Sequence, residues 1–129
     1  AVPAMKQGFK PDVISTDLHT QSMNGGMKDL TNVMSKFLNM DMTIQDAIAR
    51  TTVNPARVIN RPELVTLSVG VEADVAVFNL RKGDFGFLDV RGNKLEGNQK
   101  LEAELTIRAG RIVWDLNGVA APAWEAEKK

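Results

Sequence analysis

The feature that most constrains this chain is a single strand–loop–helix unit near its beginning. Residues 12–16 read Asp-Val-Ile-Ser-Thr, and adjacent β-branched residues without alternation are typical of a strand buried on both faces of a parallel sheet. A polar stretch rich in turn-forming residues follows at 17–26, and an amphipathic helix is predicted over Lys28–Asn39. Because one such unit cannot bury its own faces, we expect the chain to be the end of something larger.

Two short helices and several antiparallel strands are predicted after this unit. Thr43 is expected to cap the first helix, and Asn54 the second, which begins at a proline and runs to about Ile59. Residues 91–99 are polar and are predicted to form a loop, whereas the pair Ala109-Gly110 is predicted to be a hairpin turn. The predicted strands are Val75–Leu80, Phe85–Val90, Leu101–Arg108 and Arg111–Asp115.

The composition is that of a soluble globular protein, with 43% hydrophobic and 25% charged residues among 129 positions. The 16 basic and 16 acidic residues cancel, and no basic cluster favours nucleic acid as a partner. No apolar run reaches the length of about 18 residues that a membrane span needs, so no membrane association is expected. The absence of cysteine excludes thiolate metal ligands and fits a cytoplasmic protein. The lack of a methionine at position 1 adds to the expectation of a fragment.

Four motifs follow one another along the chain. Residues 14–19 read Ile-Ser-Thr-Asp-Leu-His, residues 42–57 include Asn-Pro-Ala, residues 67–78 include Gly and then Ala-Asp-Val-Ala-Val-Phe, and residues 107–113 read Ile-Arg-Ala-Gly-Arg-Ile-Val. In this order and spacing they resemble the amidohydrolase superfamily, particularly its dihydroorotase-like and N-acyl-amino-acid deacylase-like branches. The first motif is similar to the strand-end aspartate motif of the eighth barrel strand. The others are similar to the helix and turn that leave the barrel and to strands of the flanking β domain.

The resemblance implies an α/β plus β fold. Residues 1–60 would be the last βα unit of a (β/α)8 barrel with its active-site loop and helices, and residues 61–129 most of a small flanking β-sandwich. Without the remaining barrel strands, open strand edges and an apolar helix face favour association with another chain. We therefore expect either self-association or binding to the remainder of the barrel. The side chains expected to be covered by another chain or by a rearranged β domain are Val13, Ile14, Val33, Phe37 and Leu38.

The resemblance also implies a role for Asp17. In this family an aspartate at the end of the last barrel strand ligates a divalent metal, takes a proton from the attacking water and passes it to the leaving nitrogen. Asp17 directly follows the predicted strand, which is where barrel enzymes carry their chemistry. Asp17 is thus predicted to be both a catalytic residue and a metal ligand. The structural alternative is an aspartate that caps a turn or the following helix.

The remaining candidate site residues lie in the loop after Asp17. His19 is the only histidine, and Asp-x-His supplies at most two ligands, whereas a catalytic zinc site needs three protein ligands. His19 is therefore interpreted as a substrate contact or a loop residue at the pocket edge. Asn24, Gly25 and Gly26 are predicted at the pocket rim, with Gln21 and Ser22 beside them. The glycine N–H groups ahead of a helix would suit an anionic substrate group, although an ordinary glycine turn explains them equally well.

These assignments predict a chain that is inactive alone and binds no metal alone. The intact enzyme would use one or two divalent ions, with zinc expected, to hydrolyse C–N bonds of small-molecule amides. Cyclic amides, N-acyl amino acids and bases that undergo deamination all stay open as substrates, because loops after several strands set specificity. Two other arrangements also stay open: a self-standing, non-catalytic oligomerisation or binding module, and one subunit of a split amidohydrolase.

Overall fold

A three-stranded antiparallel sheet with one helix packed on it and further helices beyond makes up the fold in the computed structural model, which describes residues 1–20, 22, 25–26 and 28–124. No helix in these ranges is long and apolar enough to cross a membrane. The helices are α1 (Val2–Lys6), α2 (Leu30–Leu38), α3 (Ile44–Thr51) and α4 (Val53–Val58), with a 3₁₀ turn at Pro62–Val65. The strands are β1 (Val75–Leu88), β2 (Lys94–Arg108) and β3 (Arg111–Asp115), in the sheet order β1-β2-β3.

The segment at 12–16 is extended but forms no strand, so the prediction of a strand there is wrong. A strand needs a neighbour that accepts and donates along its edge, and no strand of the described sheet lies beside this segment. Helices hold it instead. The N–H of Ile14 donates to the carbonyl of Arg50 at 2.9 Å, and the side-chain amide of Asn54 donates to the carbonyl of Asp12 at 2.8 Å. Ile14 is buried in the core, whereas Val13 stays exposed.

Helix α2 confirms the predicted amphipathic helix and packs its apolar stripe on the sheet. It begins after Asp29, whose carboxylate accepts from the N–H of Asn32 at 2.7 Å as a side-chain cap. Val33 and Leu38 are buried within the chain, while Phe37 is only partly buried. Five side chains were expected to be covered by another chain or by a rearranged β domain. Three of them, Ile14, Val33 and Leu38, are thus already buried within this chain. The buried core is Ile14, Val33, Met34, Leu38, Met42, Ala47 and Leu101.

The next two helices show one correct cap and one incorrect cap. Thr43 caps α3 as predicted, because its hydroxyl accepts from the N–H of Asp46 at 3.1 Å. Asn54 does not cap α4; the helix begins at Val53, two residues before the predicted start at Pro55, with Thr52 in the cap position and no side-chain cap hydrogen bond. The Asn54 amide instead binds the extended segment at Asp12. The side chain of Asn54 therefore makes a tertiary hydrogen bond instead of capping its own helix.

The strands differ from the prediction in extent. β1 runs unbroken where two strands were predicted, with register shifts between Val77 and Phe78 and between Lys82 and Phe85. The loop predicted at 91–99 is confirmed only for residues 91–93 and is wrong for 94–99, because β2 already begins at Lys94. The structure describes a single sheet with α2 on one face, so the second layer of the predicted β-sandwich is not seen in these residues.

The predicted hairpin turn between β2 and β3 is confirmed and shows what the Ala-Asp motif does. Ala109 and Gly110 both take positive φ, 49° and 73°, as a tight hairpin turn requires. The carboxylate of Asp74 accepts from the N–H of Ala109 at 2.7 Å, and the carbonyl of Ala73 accepts from the N–H of Gly110 at 2.9 Å. The residues that lead into β1 therefore stabilise the turn on the far side of β2.

Candidate functional site

Asp17 stands where the extended segment ends and the polar loop begins. Its side chain is 89% exposed, so its carboxylate can be reached from outside the chain. Its backbone is in the left-handed region, with φ of 50°. That conformation costs an ordinary residue about 1–2 kcal/mol, although Asp adopts it more readily than most. The fold holds the backbone in an uncommon turn here and leaves the carboxylate available for chemistry.

Ser22 organises this turn, a role that the sequence did not reveal. It was predicted at the pocket rim, yet it is buried inside the loop with 8% of its surface exposed. Its hydroxyl donates to the carbonyl of Asp17 at 2.9 Å and accepts from the N–H of His19 at 2.9 Å. The N–H of Ser22 donates to the carbonyl of His19, also at 2.9 Å. Ser22 thus holds the backbone on both sides of residue 18 and fixes the turn that presents Asp17.

His19 lies close to Asp17, and its imidazole can pair with a carboxylate. Its Nε2 lies 4.0 Å from Oδ2 of Asp17, and half of its side chain is exposed. A carboxylate and an imidazole are both good ligands for a divalent ion, so these two residues fit part of a metal site. Within the part of the chain that the structure describes, no group of three His, Cys, Asp or Glu residues could hold a metal ion. Asp17 and His19 therefore make an incomplete donor set.

The glycines of the loop have partners of their own. The N–H of Gly25 donates to the carbonyl of Ser22 at 2.9 Å. Gly26 lies against the end of β1, and a side chain on it would collide with the carbonyl of Leu88. This close approach gives Gly26 a packing reason to be glycine. Asn24 and Gln21 lie outside the described residues, and substrate binding by Asn24, Gly25 and Gly26 stays a prediction.

Lys36 of helix α2 joins this loop to the sheet. Its Nζ donates to the carbonyl of Gly26 at 2.6 Å and to the carbonyl of Leu88 at 2.7 Å. Burial lowers the pKa of Lys36; the carboxylate of Asp89 opposes this shift and the charge of Lys28 adds to it. No role for Lys36 is visible in the sequence, because only the folded chain brings residues 26 and 88 together.

Residues 1–113 match the amidohydrolase family, and this stretch includes Asp17, His19 and the helices α1 to α4. The chain belongs to that family. A deacetylase from Brucella anthropi is 37% identical over 107 residues, covering 83% of this chain and 27% of the relative. A deacetylase from Agrobacterium fabrum is 41% identical over 93 residues, covering 72% of this chain and 23% of the relative. The resemblance drawn from the four motifs is thus confirmed.

Two solved structures share the fold of this chain. A dihydroorotase superimposes with a TM-score of 0.80 at 33% identity over 88% of the chain, and an adenine deaminase with 0.80 at 27% identity over 89%. Each comparison covers 31% of the solved chain. The chain therefore spans between about a quarter and a third of the length of the proteins it matches.

Proposed function

We propose that this chain supplies the Asp17 part of the active site of a hydrolase that cleaves C–N bonds of small-molecule amides. The observation that carries the proposal is Asp17 itself: an exposed carboxylate, held in an uncommon turn by a buried serine, within the stretch that matches the family. Two relatives at 37% and 41% identity are named deacetylases, which favours N-acetyl amides as the substrate class. The dihydroorotase, at 33% identity, favours cyclic amides as a second candidate.

Asp17 would move a proton in this reaction. Its carboxylate accepts a proton from the attacking water as the water oxygen bonds to the acyl carbon. When the C–N bond breaks, Asp17 returns this proton to the leaving nitrogen, so the carboxylate is restored and the amine leaves neutral. His19 lies close enough to bind an oxygen or nitrogen of the substrate on the same side, since its imidazole can donate or accept.

A divalent metal, with zinc expected from the resemblance, would activate the water and polarise the acyl oxygen. Asp17 is the residue of this chain best placed to ligate it, with His19 the nearest further donor. A catalytic zinc site uses three protein ligands and an open position. The remaining ligands must then come from outside the described residues, in the same polypeptide or in a partner subunit.

A chimera tests this function directly. The chimera is the Brucella anthropi deacetylase in which the 107-residue stretch that matches this chain is replaced by the corresponding residues of this chain. We expect the chimera to hydrolyse N-acetyl amides in the presence of zinc, cobalt or manganese. The 129-residue chain alone is expected to show no turnover above buffer, because its donor set cannot hold an activated water. Both are assayed against one panel of N-acetyl amino acids and cyclic amides.

Two results would contradict the proposal. Saturable, metal-dependent turnover by the homogeneous 129-residue chain would show that its donor set is complete. A folded chimera that binds metal but hydrolyses no member of the panel would favour the non-catalytic module. The unmodified deacetylase serves as the positive control for each substrate that it accepts.

We further propose that the chain associates, either with itself or with the rest of a barrel. From the last residue of α4 onward it exposes several large apolar side chains: Val58, Ile59, Leu64, Leu67 and Val69. Large exposed apolar patches mark interaction sites on protein surfaces. We expect light scattering to give a mass above that of the 14.1 kDa chain. A monodisperse monomer across the micromolar range would contradict self-association.

A further inference from the structure

Two backbone carbonyls from distant parts of the chain meet at one lysine. The carbonyl oxygens of Gly26 and Leu88 both accept from the ammonium of Lys36, at 2.6 and 2.7 Å. Facing carbonyl dipoles repel one another, and a cation between them turns this repulsion into attraction. Without a side chain, Gly26 can approach the end of β1 closely enough for the bridge to form.

This bridge differs from a surface ion pair, because Lys36 binds two backbone carbonyls and not a carboxylate. The nearby carboxylate of Asp89 is occupied within its own turn, where it accepts from the N–H groups of Arg91 and Asn93, each at 2.8 Å. It also accepts from the side-chain amide of Asn93 at 2.9 Å. Lys36 is partly buried and donates to the two carbonyls, although burial disfavours its charge. A donor that loses hydrogen bonds to water on burial needs such hydrogen bonds within the protein to offset that loss.

The bridge is connected to Asp17 through described hydrogen bonds. Gly26 follows Gly25, whose N–H donates to the carbonyl of Ser22 at 2.9 Å. The hydroxyl of Ser22 in turn donates to the carbonyl of Asp17. The catalytic turn is therefore held at one end by helix contacts to the extended segment and at the other by Lys36. A loop with both ends fixed presents its carboxylate in one place.

We propose that Lys36 is a positioning residue for Asp17, acting through Gly26 and Ser22 by fixing the loop to the end of β1. Its proposed role involves no contact with the attacking water or with substrate. Its contribution to turnover rests on the proposed function, but its contribution to loop order does not. The bridge also couples the loop to the sheet, since Leu88 belongs to β1, which pairs with β2.

Amide hydrogen exchange by NMR on the 129-residue chain tests the loop directly. The readouts are the amides of His19, Ser22 and Gly25, which are all hydrogen-bonded within the loop. Lys36→Met removes the ammonium that makes both hydrogen bonds and keeps most of the aliphatic stem. We expect these amides to exchange at least about tenfold faster, as local opening becomes easier. The amide of Gly110, in the distant hairpin, should keep its rate.

Matched variants separate positioning from a general loss of stability. Lys94→Met makes the same change on a neighbouring lysine, whose ammonium binds Glu96 at 3.0 Å, and should leave the loop amides unchanged. Lys36→Arg keeps charge and donors and should restore part of the protection. Ser22→Ala should speed exchange of the His19 amide, and its combination with Lys36→Met should add little more. Unchanged exchange in Lys36→Met would overturn the inference.

In the active chimera, Lys36→Met is expected to lower kcat about tenfold or more while KM changes less than about twofold. A raised KM with unchanged kcat would overturn the inference, because it would indicate a contact in substrate binding. If the parent chimera is inactive, the proposed function fails. The exchange result then decides the positioning of the loop alone.

Discussion

Asp17→Asn in the active chimera is expected to lower kcat by about 10²–10⁴ without unfolding the protein. Asparagine has the same size and can occupy the left-handed turn, so the backbone held by Ser22 should persist. Its amide cannot accept the proton of the attacking water, nor return one to the leaving nitrogen. The loss should therefore fall on the chemical step.

The control for this variant is Asp12→Asn, the same exchange at an exposed residue of the same extended segment. Its side chain has no proposed role, and kcat should stay within about twofold of the parent. Steady-state kinetics, metal analysis and a thermal melt would be measured for all three proteins. If Asp17→Asn kept near-normal kcat, Asp17 would be a structural turn residue and the catalytic assignment would be lost. If it lost bound metal, the ligand role would account for part of the effect.

Asp17 could be selected as a candidate from the sequence because it lies within a short motif. The three residues before it and the two after it match a family pattern, and no tertiary contact is needed to see this. Ser22 and Lys36 were not predictable in the same way. Ser22 looks like any polar loop residue until the fold buries it, and Lys36 faces carbonyls that lie 10 and 52 positions away.

The strand prediction at 12–16 failed for a related reason. Adjacent β-branched residues record a preference for extended backbone, which the segment does adopt. Whether an extended segment becomes a strand depends on a neighbour with free hydrogen-bonding groups. In the described chain that partner is helical: the carbonyl of Arg50 and the side chain of Asn54. Propensity therefore identified the conformation of the segment but not its pairing.

The first part of β2 was predicted to be a loop because its residues are polar. They are polar where they contact a polar side chain at the end of α2. The side chain of Asn39, at the end of α2, donates to the carbonyl of Gln99 at 2.7 Å and accepts from the N–H of Asn98 at 3.0 Å. A side chain on Gly97 would collide with Asn39. A strand that receives an asparagine side chain needs glycine and polar neighbours there, and this pattern resembles a turn in sequence.

Leu101→Ala is expected to lower the free energy of unfolding by about 2–5 kcal/mol. Leu101 is 1% exposed at the centre of the core, packed with the apolar stripe of α2. Its N–H also donates to the hydroxyl of the fully buried Ser35, at 2.9 Å, which fixes helix and strand relative to one another. Truncating the side chain leaves a cavity that this hydrogen bond prevents from closing easily.

Chemical denaturation of Leu101→Ala also tests what covers the stripe of α2. The matched control is Leu67→Ala, at a residue 79% exposed, where the change should cost less than about 0.5 kcal/mol in the monomer. If β2 covers the stripe, the loss at Leu101 is intramolecular and its size does not depend on protein concentration. A loss at Leu101 below about 1 kcal/mol, or one that shrinks as concentration rises, would mean that another chain covers the helix. The sheet would then not be the partner that holds α2, and with it Lys36, against the loop of Asp17.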